Sequence, residues 1–173
     1  MGRLTYYSAP SRSLPQFLDP DDPNRGLVFD GRVSEDFKLL TGTWVQAGKL
    51  RLDALEALRG LVLDVVVCGH DRGEIGLFVF PRPDHVHDDN TSEGAVIDEH
   101  LQAEIHHVLR KMARAASGSA KRIARAIILA EPPSLKDGEI TDKGSLNTRK
   151  IITRRADLLE RLYDNEDPAL IRV

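Results

Sequence analysis

A lysine on a polar turn is the residue of this chain whose surroundings best suit chemistry. Lys143 follows Thr141-Asp142 and precedes Gly144, and these residue types form exposed, adaptable turns. A basic amphipathic segment begins directly after this lysine turn (residues 141–144) and would anchor it. An ammonium group placed there can neutralise two anions as they approach each other in a transition state. Considered alone, the turn equally fits a solvated surface loop.

A second tract with chemical potential is Asp30-Gly-Arg-Val-Ser-Glu-Asp36. Its arginine, Arg32, carries a planar guanidinium that can bind a phosphate or a carboxylate through two parallel hydrogen bonds. The small and acidic residues around Arg32 could form a hinge, in which a few backbone dihedral angles absorb a rotation. An ordinary hairpin turn uses the same residue types, so the tract alone leaves both interpretations open.

The composition is that of a globular protein and argues against several functional classes. With 173 residues, of which 41% are hydrophobic and 29% charged, the chain can bury one core and is expected to form one domain. A net charge of −3 argues against a dedicated nucleic-acid binder. No apolar run approaches the roughly 20 residues that cross a bilayer, so no membrane partner is expected. The single cysteine, Cys68, cannot form an internal disulfide, which favours a cytoplasmic location.

Short apolar runs predict a small sheet. Val62–Cys68 and Ile75–Phe80 predict the two arms of a hairpin, and Ile123–Leu129 predicts a further strand. Nearer the N-terminus, Leu27–Phe29 and Phe37–Leu40 read as short strands joined by a turn at Asp30-Gly31.

Helical spacing of apolar residues predicts helices over 52–59, 95–116 and 150–163. Strands and helices thus alternate around one sheet. The predicted fold class is α/β (α+β), a two-layer arrangement in which helices pack on a small mixed sheet preceded by a short β-hairpin.

In this order and on these elements, the tracts together resemble the adenylate-forming acyl-CoA synthetases, and specifically the feruloyl-CoA synthase group. The resemblance runs from about Phe17 to Tyr163 and matches the C-terminal lid domain of that family with the last segment of the large domain before it. It is carried by five stretches: Asp19–Pro23, Gly26–Leu39, Thr41–Val45, Gly69–Gly76 and Glu139–Gly144.

This resemblance implies a ligase that works in two steps. Such enzymes join a carboxylic acid to ATP as an acyl-adenylate with release of pyrophosphate, and then transfer the acyl group to coenzyme A. The lid rotates between the steps, bringing the lysine turn to the acyl phosphate in one pose and helping to form the pantetheine tunnel in the other. The implied cofactors are ATP or AMP, coenzyme A and Mg²⁺, all in complex with a large domain.

The resemblance also assigns roles to residues. Lys143 would act in adenylation, with Lys150 as an alternative, because most of the family has its lysine directly after the glycine, where this chain has Ser145. Arg32 would contact the nucleotide ribose. The loop that would line the thiol tunnel consists of Gly42, Thr43 and Trp44.

The hinge tract is one residue longer than the commoner form of the family. The hinge acid would be Glu35 or Asp36, and the hinge position stays open between Ser34 and these two acids.

The resemblance divides the chain into residues 1–31, the end of a large adenylation domain with the approach to the hinge, and residues 32–173, the lid domain. The family's ribose-binding acid would fall at Ser13, and the chain contains no lysine-bearing phosphate loop. We therefore expect a ligase fragment that is inactive alone and is completed by a large domain on a separate chain. The alternative is a non-catalytic remnant or a small binding or interaction module.

Two further clusters are weighed against simpler explanations. Histidines and acids at 84–89, with His100, His106 and His107 beyond, contain zinc-ligand types, but a loop rich in Pro and Asp uses them to form turns, so no metal site is expected. Six cations with no acid among them could attract the phosphates of coenzyme A or the acidic surface of a partner, or could form a solvated face. They are Arg110, Lys111, Arg114, Lys121, Arg122 and Arg125.

Overall fold

A four-stranded mixed sheet forms the centre of the structure, a computed structural model that describes residues 16–17, 27–28 and 35–173. Within those residues the strands are β1 (Gln16–Phe17), β2 (Leu27–Val28), β3 (Phe37–Lys38), β4 (Trp44–Val45), β5 (Val62–Cys68), β6 (Ile75–Pro81), β7 (Thr91–Ser92), β8 (Ala95–Val96), β9 (Ile123–Ile128) and β10 (Leu170–Arg172). The central sheet has the order β10-β9-β6-β5. Its middle pair, β6 and β9, is parallel, and both outer pairs are antiparallel.

Helices cover both faces of this sheet. They are α1 (Ala47–Ala57), α2 (Glu99–Ala115), α3 (Thr148–Arg154) and α4 (Ala156–Tyr163). Among the described residues, no helix is both long enough and apolar enough to cross a membrane.

Alternation along the strands explains the two covered faces. In β6, Leu77 and Val79 belong to a core that α1 and α2 complete, whereas Phe78 and Phe80 belong to a second core that α3 and α4 complete. Successive side chains of a strand point to opposite faces, and every residue of β6 is buried. The predicted mixed sheet with packed helices is confirmed. The prediction of two layers was wrong, because α3 and α4, which follow the lysine turn, cover the second face of the sheet.

The pairing predicted for the N-terminal strands was also wrong. Phe37–Lys38 pairs with Trp44–Val45, and Leu27–Val28 pairs with Gln16–Phe17. The local turn decides this, since the Leu39 amide donates to the Thr43 carbonyl at 2.9 Å and Gly42 has a φ of +80°. A left-handed glycine closes this tight loop without steric cost. The turn predicted at Asp30-Gly31 lies outside the described residues.

The lone cysteine lies inside the second core. Cys68 is 1% exposed at the end of β5. Burial raises the pKa of its thiol to about 12, because the charged thiolate loses its hydration there. Cys68 is therefore a packing residue of this core.

Gly76 is the point at which α4 approaches the sheet most closely, and its replacement tests that packing. A Cβ added there would lie 2.6 Å from Leu162 Cδ2 and 3.1 Å from the Tyr163 hydroxyl. We expect Gly76→Ala to lower the free energy of unfolding by about 1–3 kcal/mol through overpacking, measured by urea denaturation. The matched change Gly73→Ala meets no atom within 4 Å and should alter stability by less than about 0.5 kcal/mol. Equal effects of the two substitutions would contradict this account.

Candidate functional site

Lys143 lies at the tip of a short hairpin. The Gly144 amide donates to the Thr141 carbonyl and the Thr141 amide donates to the Ser145 carbonyl, each at 2.8 Å. Gly144 has a φ of +76°, the left-handed conformation that closes a three-residue hairpin loop. Lys143 is exposed at the tip of this turn, which confirms that the lysine turn is a surface feature.

The turn continues into a longer hairpin that fixes its direction. Ile140 and Leu146 form an antiparallel bridge, and the Asn147 amide donates to the Glu139 carbonyl at 2.8 Å. The Asn147 side chain then accepts from the Lys150 amide at 3.2 Å and caps α3. We call residues 139–147 the lysine hairpin. Its two ends are joined to each other and to the helix behind it, so the tip cannot move independently of α3.

A buried ion pair locks the base of the lysine hairpin. The Glu139 side chain is fully buried and accepts two hydrogen bonds from Arg155, each at 2.8 Å. It also accepts from the Ser134 amide at 2.8 Å and from Arg154 at 3.2 Å. A two-pronged guanidinium–carboxylate pair fixes orientation as well as distance.

Arg155 extends this lock to the rest of the domain. Its guanidinium donates to the Glu131 and Pro132 carbonyls at 3.0 Å and lies 5.2 Å from the centre of the Phe80 ring. The residue stands at the junction of α3 and α4, with φ −104° and ψ 38°. The single helix predicted over 150–163 is thus broken, and the break coincides with the arginine that holds the hairpin.

The electrostatics of Glu139 follow from these contacts. Burial by itself disfavours the charged carboxylate, but hydrogen bonds from Arg155 and from the Ser134 amide outweigh it. Together with the charge of Arg155 and a bond from Arg154, they hold the pKa of Glu139 at about 2. The carboxylate is therefore ionised throughout the physiological range and keeps Arg155 in place.

The predicted hinge and the lysine hairpin meet at one cleft. This central cleft has a volume of about 1120 Å³ and is lined by Glu35 and Asp36, by Arg72 of the β5–β6 connection, and by Thr141 and Arg149 among others. Lys143 itself is not among the lining residues. The structure thus brings the predicted hinge and the base of the lysine hairpin together at this cleft. The ammonium group of Lys143 lies outside the cleft.

Asp36 has a structural contact of its own. Its Oδ1 atom accepts a hydrogen bond from the Ala47 amide at 3.0 Å, at the first turn of α1, where no side chain of the preceding residue caps the helix. An acid at a helix N-terminus satisfies a free amide and complements the helix dipole. Arg32 and Ser34 lie outside the described residues.

Of the loop residues Gly42, Thr43 and Trp44, Trp44 lines a different cavity. Trp44 is 51% exposed, and the Lys38 ammonium lies 5.9 Å from the centre of its ring. Trp44 and Lys121 belong to the lining of a cavity of about 160 Å³. The loop is held from behind, because the Leu40 amide donates to the Arg72 carbonyl at 2.9 Å.

The histidine loop is organised by an asparagine. Asn90 accepts from the His87 amide at 2.9 Å and donates to the His85 carbonyl at 3.3 Å, so the loop is folded around an amide side chain. In the part of the chain that the structure describes, no group of three or more His, Cys, Asp or Glu side chains could hold a metal ion.

Sequence reasoning missed the partners that position the lysine. In the sequence, Glu139 was noted only as part of a stretch that resembles the family, and Arg155 only as part of the predicted basic helix. The available signal was a double arginine at the end of an amphipathic segment, which does not reveal that one of the two is buried. The alternative lysine, Lys150, is exposed on the first turn of α3.

Comparison with known families decides what this architecture is. The family model described as "AMP-binding enzyme C-terminal domain" matches residues 39–167, well over half of the chain. The chain belongs to this family. No curated protein matches the AMP-binding enzyme C-terminal domain described here.

Solved structures agree on the fold. The A-PCP didomain of a carboxylic acid reductase from Segniliparus rugosus in complex with AMP matches 86% of this chain with a TM-score of 0.63 and 23% identity. The adenylation domain of a carboxylate reductase from Mycobacterium chelonae also matches 86% of it, with a TM-score of 0.63 and 24% identity. The chain spans 19% and 22% of those two chains, about a fifth of their length.

Removing the charge of Glu139 should unlock the hairpin base. In Glu139→Gln the buried Arg155 guanidinium loses its ionic partner, and we expect the free energy of unfolding to fall by about 3 kcal/mol or more in urea denaturation. The control is Glu160→Gln, which breaks an ion pair between Arg72 and a glutamate that is 68% exposed. Its cost should stay below about 1 kcal/mol. A Glu139→Gln protein as stable as the control would contradict the proposed lock.

The same carboxylate should make stability depend on pH. The pKa of Glu139 is about 2 in the folded domain against an ordinary value of 4.5, so the unfolded chain binds more protons between these values. Its stabilising contribution is therefore complete above pH 4.5 and is lost as the pH falls towards 2. Unfolding free energies measured across this range should fall less steeply with acid for Glu139→Gln than for the wild type. Parallel curves would refute the assignment.

Proposed function

We propose that this domain is the lid of an ATP-dependent acyl-CoA ligase of the feruloyl-CoA synthase type, and that it works together with a large adenylation domain. In this proposal residues 32–173 form the lid and residues 1–31 lead into it from the large-domain side. The reaction joins a carboxylic acid, ATP and coenzyme A to give acyl-CoA, AMP and pyrophosphate. Since ATP and coenzyme A are cytoplasmic metabolites, we place the enzyme in the cytoplasm.

The observation that carries the proposal is the contrast between the tip and the base of the lysine hairpin. At the base no buried polar side-chain atom of the described residues lacks a hydrogen-bond partner, and Glu139 alone accepts from three residues. At the tip, Lys143 is exposed, and no hydrogen bond or ion pair to another described residue engages its ammonium group. A cation presented on a rigid support is suited to an anion that comes from outside the domain, because its position is fixed before the anion arrives.

The chemistry proposed for Lys143 is electrostatic. During adenylation a carboxylate oxygen attacks the α-phosphorus of ATP, and the bond from that phosphorus to the pyrophosphate oxygen breaks. Two anionic groups must approach each other, and the ammonium of Lys143 would lie between the carboxylate and the α-phosphate. ATP, with the Mg²⁺ that neutralises its phosphates, would be held by the large domain. Lys150 lies on the body of α3 and is the weaker candidate.

The hinge contacts support a pivot close to Glu35. Asp36 is bonded to the first turn of α1, so a rotation downstream of Asp36 would break this cap. A rotation at Glu35 or Ser34 would instead carry Asp36, α1 and the sheet together as one body. We therefore propose that the pivot precedes Asp36, with Arg32 on its large-domain side contacting the ribose.

The loop of Gly42, Thr43 and Trp44 suits the second half-reaction. Gly42 and Trp44 are exposed, and Trp44 lines a cavity separate from the central cleft. We propose that it lines the thiol channel when the lid has rotated for transfer to coenzyme A.

Replacing Lys143 should separate the two half-reactions. We mix this chain with the large domain of a feruloyl-CoA-synthase-type ligase from which the lid has been removed. Exchange of labelled pyrophosphate into ATP is then measured with ferulate as the acid. We expect exchange only in the mixture, and a fall on the order of 10²-fold for Lys143→Ala because one preorganised cation is lost. Transfer from preformed feruloyl-adenylate to coenzyme A should change far less.

The control variants share the exposure of Lys143. Lys136→Ala removes an exposed lysine from the loop before the hairpin and should leave exchange unchanged, and Lys150→Ala tests the alternative lysine. A mixture without exchange would count against the ligase and favour a non-catalytic module. A loss with Lys150→Ala and none with Lys143→Ala would move the role to Lys150.

A further inference from the structure

A run of 26 residues between Glu104 and Glu131 contains no acidic side chain, in a chain whose net charge is −3. Of its six lysines and arginines, Arg125 is buried and bonds to Glu74 at 2.7 Å. The other five are exposed on the second half of α2 and the segment after it. We call them the basic surface, which comprises Arg110, Lys111, Arg114, Lys121 and Arg122.

The basic surface is set apart by its lack of ion pairs. Of the thirteen arginines that the structure describes, nine form an ion pair with a carboxylate. The remaining four are Arg149, at the central cleft, and three arginines of the basic surface. Elsewhere in the described chain, then, every arginine except Arg149 is matched by an acid, whereas here acids are missing from the sequence itself.

Stabilisation of α2 accounts for little of this charge. Cations in the last turn of a helix interact favourably with its dipole, and Arg114 is the basic residue of that turn. Arg110 and Lys111 lie before the last turn, and Lys121 and Arg122 lie beyond the end of the helix. Four of the five cations therefore have no such role within the fold.

The spacing of the cations on α2 fits a helical partner. His107, Arg110, Lys111 and Arg114 line a surface groove of about 330 Å³, on the face of α2 opposite the buried Leu101, Ile105 and Leu109. Arg110 and Lys111 lie four and three residues before Arg114, so these three cations share one stripe along the helix. A helix whose carboxylates repeat at the same spacing would match them one to one.

From this arrangement we propose that the basic surface docks an acidic helical face of a partner protein. A lipid bilayer fits less well, because none of the exposed large apolar residues of the described chain (Leu40, Trp44, Leu52, Leu63 and Leu135) belongs to α2 or the segment after it, and only Trp44 shares a cavity with a cation of the surface, Lys121. A nucleic acid fits less well too, because the groove along α2 is lined by no Phe, Tyr or Trp side chain for stacking. The inference rests on charge and geometry alone and does not depend on the proposed ligase activity.

The test is a titration of the full chain with a designed probe. The probe is a 21-residue helical peptide that carries glutamates at every third and fourth position along one face. The control is a peptide of equal composition in which a central proline prevents helix formation. We expect the helical peptide to cause saturable amide shifts in NMR spectra confined to residues 107–122, with binding that weakens as salt is raised. The proline peptide should bind at least about tenfold more weakly, because it loses conformational entropy when its carboxylates are aligned with the cations.

Charge reversal identifies the surface. Arg110→Glu/Arg114→Glu should weaken binding of the helical peptide at least about tenfold by placing like charges opposite each other. The control Arg59→Glu/Lys136→Glu makes the same change of net charge at exposed sites elsewhere and should leave binding within about twofold. Thermal melts of both variants establish that they are folded.

Three results would overturn the proposal. The first is an equal loss of binding in the two double variants, and the second is equal binding of the helical and proline peptides. The third is tighter binding of an RNA duplex, or of vesicles containing phosphatidylserine, at the same ionic strength. That last result would assign the surface to nucleic acid or membrane instead.

Discussion

One buried ion pair, between Glu139 and Arg155, determines where the lysine hairpin can be. Removing two charges from water is costly, and here the cost is offset because almost every hydrogen-bonding position of the pair is used within the fold. The carboxylate binds Arg155, Arg154 and the Ser134 amide, and the guanidinium also binds two carbonyls of the preceding loop. The hairpin, the loop before it and the α3–α4 junction therefore form one rigid unit. A flexible lysine side chain on a rigid unit is what a residue needs in order to enter another domain reproducibly.

The charged side chains of this domain fall into two groups, those in ion pairs within the fold and those without an ion-pair partner among the described residues. Arg51, Arg125 and Arg161 each meet a carboxylate within 2.7 Å, and these pairs tie strands, helices and the C-terminal segment together. Lys143 and the basic surface have no such partners among the described residues. Because the fold satisfies its internal charges so consistently, the cations that it leaves unmatched are the ones whose partners we look for outside the domain.

The sequence predicted the central elements well because their patterns are local. The runs in β5, β6 and β9 are continuous and apolar, and the spacing in α2 follows the helical period, so each could be read without its neighbours. It failed where a turn type or a distant residue decides the structure. The strand at Phe37 pairs with Trp44 because of the glycine turn between them, the helix after the lysine breaks at Arg155, and β10 is only three residues long. For the candidate site, the sequence predicted the exposed lysine, but the pair Glu139–Arg155 joins residues sixteen positions apart that no periodic pattern connects.

The lone cysteine has a practical consequence for labelling experiments on this domain. Cys68 is enclosed beneath the helices and stays protonated at any pH used for labelling, so maleimide reagents should not modify it in the folded protein. A thiol introduced at position 142, beside the tip, would then be the single attachment point for a fluorophore or a spin label. Distances from that label to a docked companion chain could be followed during turnover without first deleting a native residue.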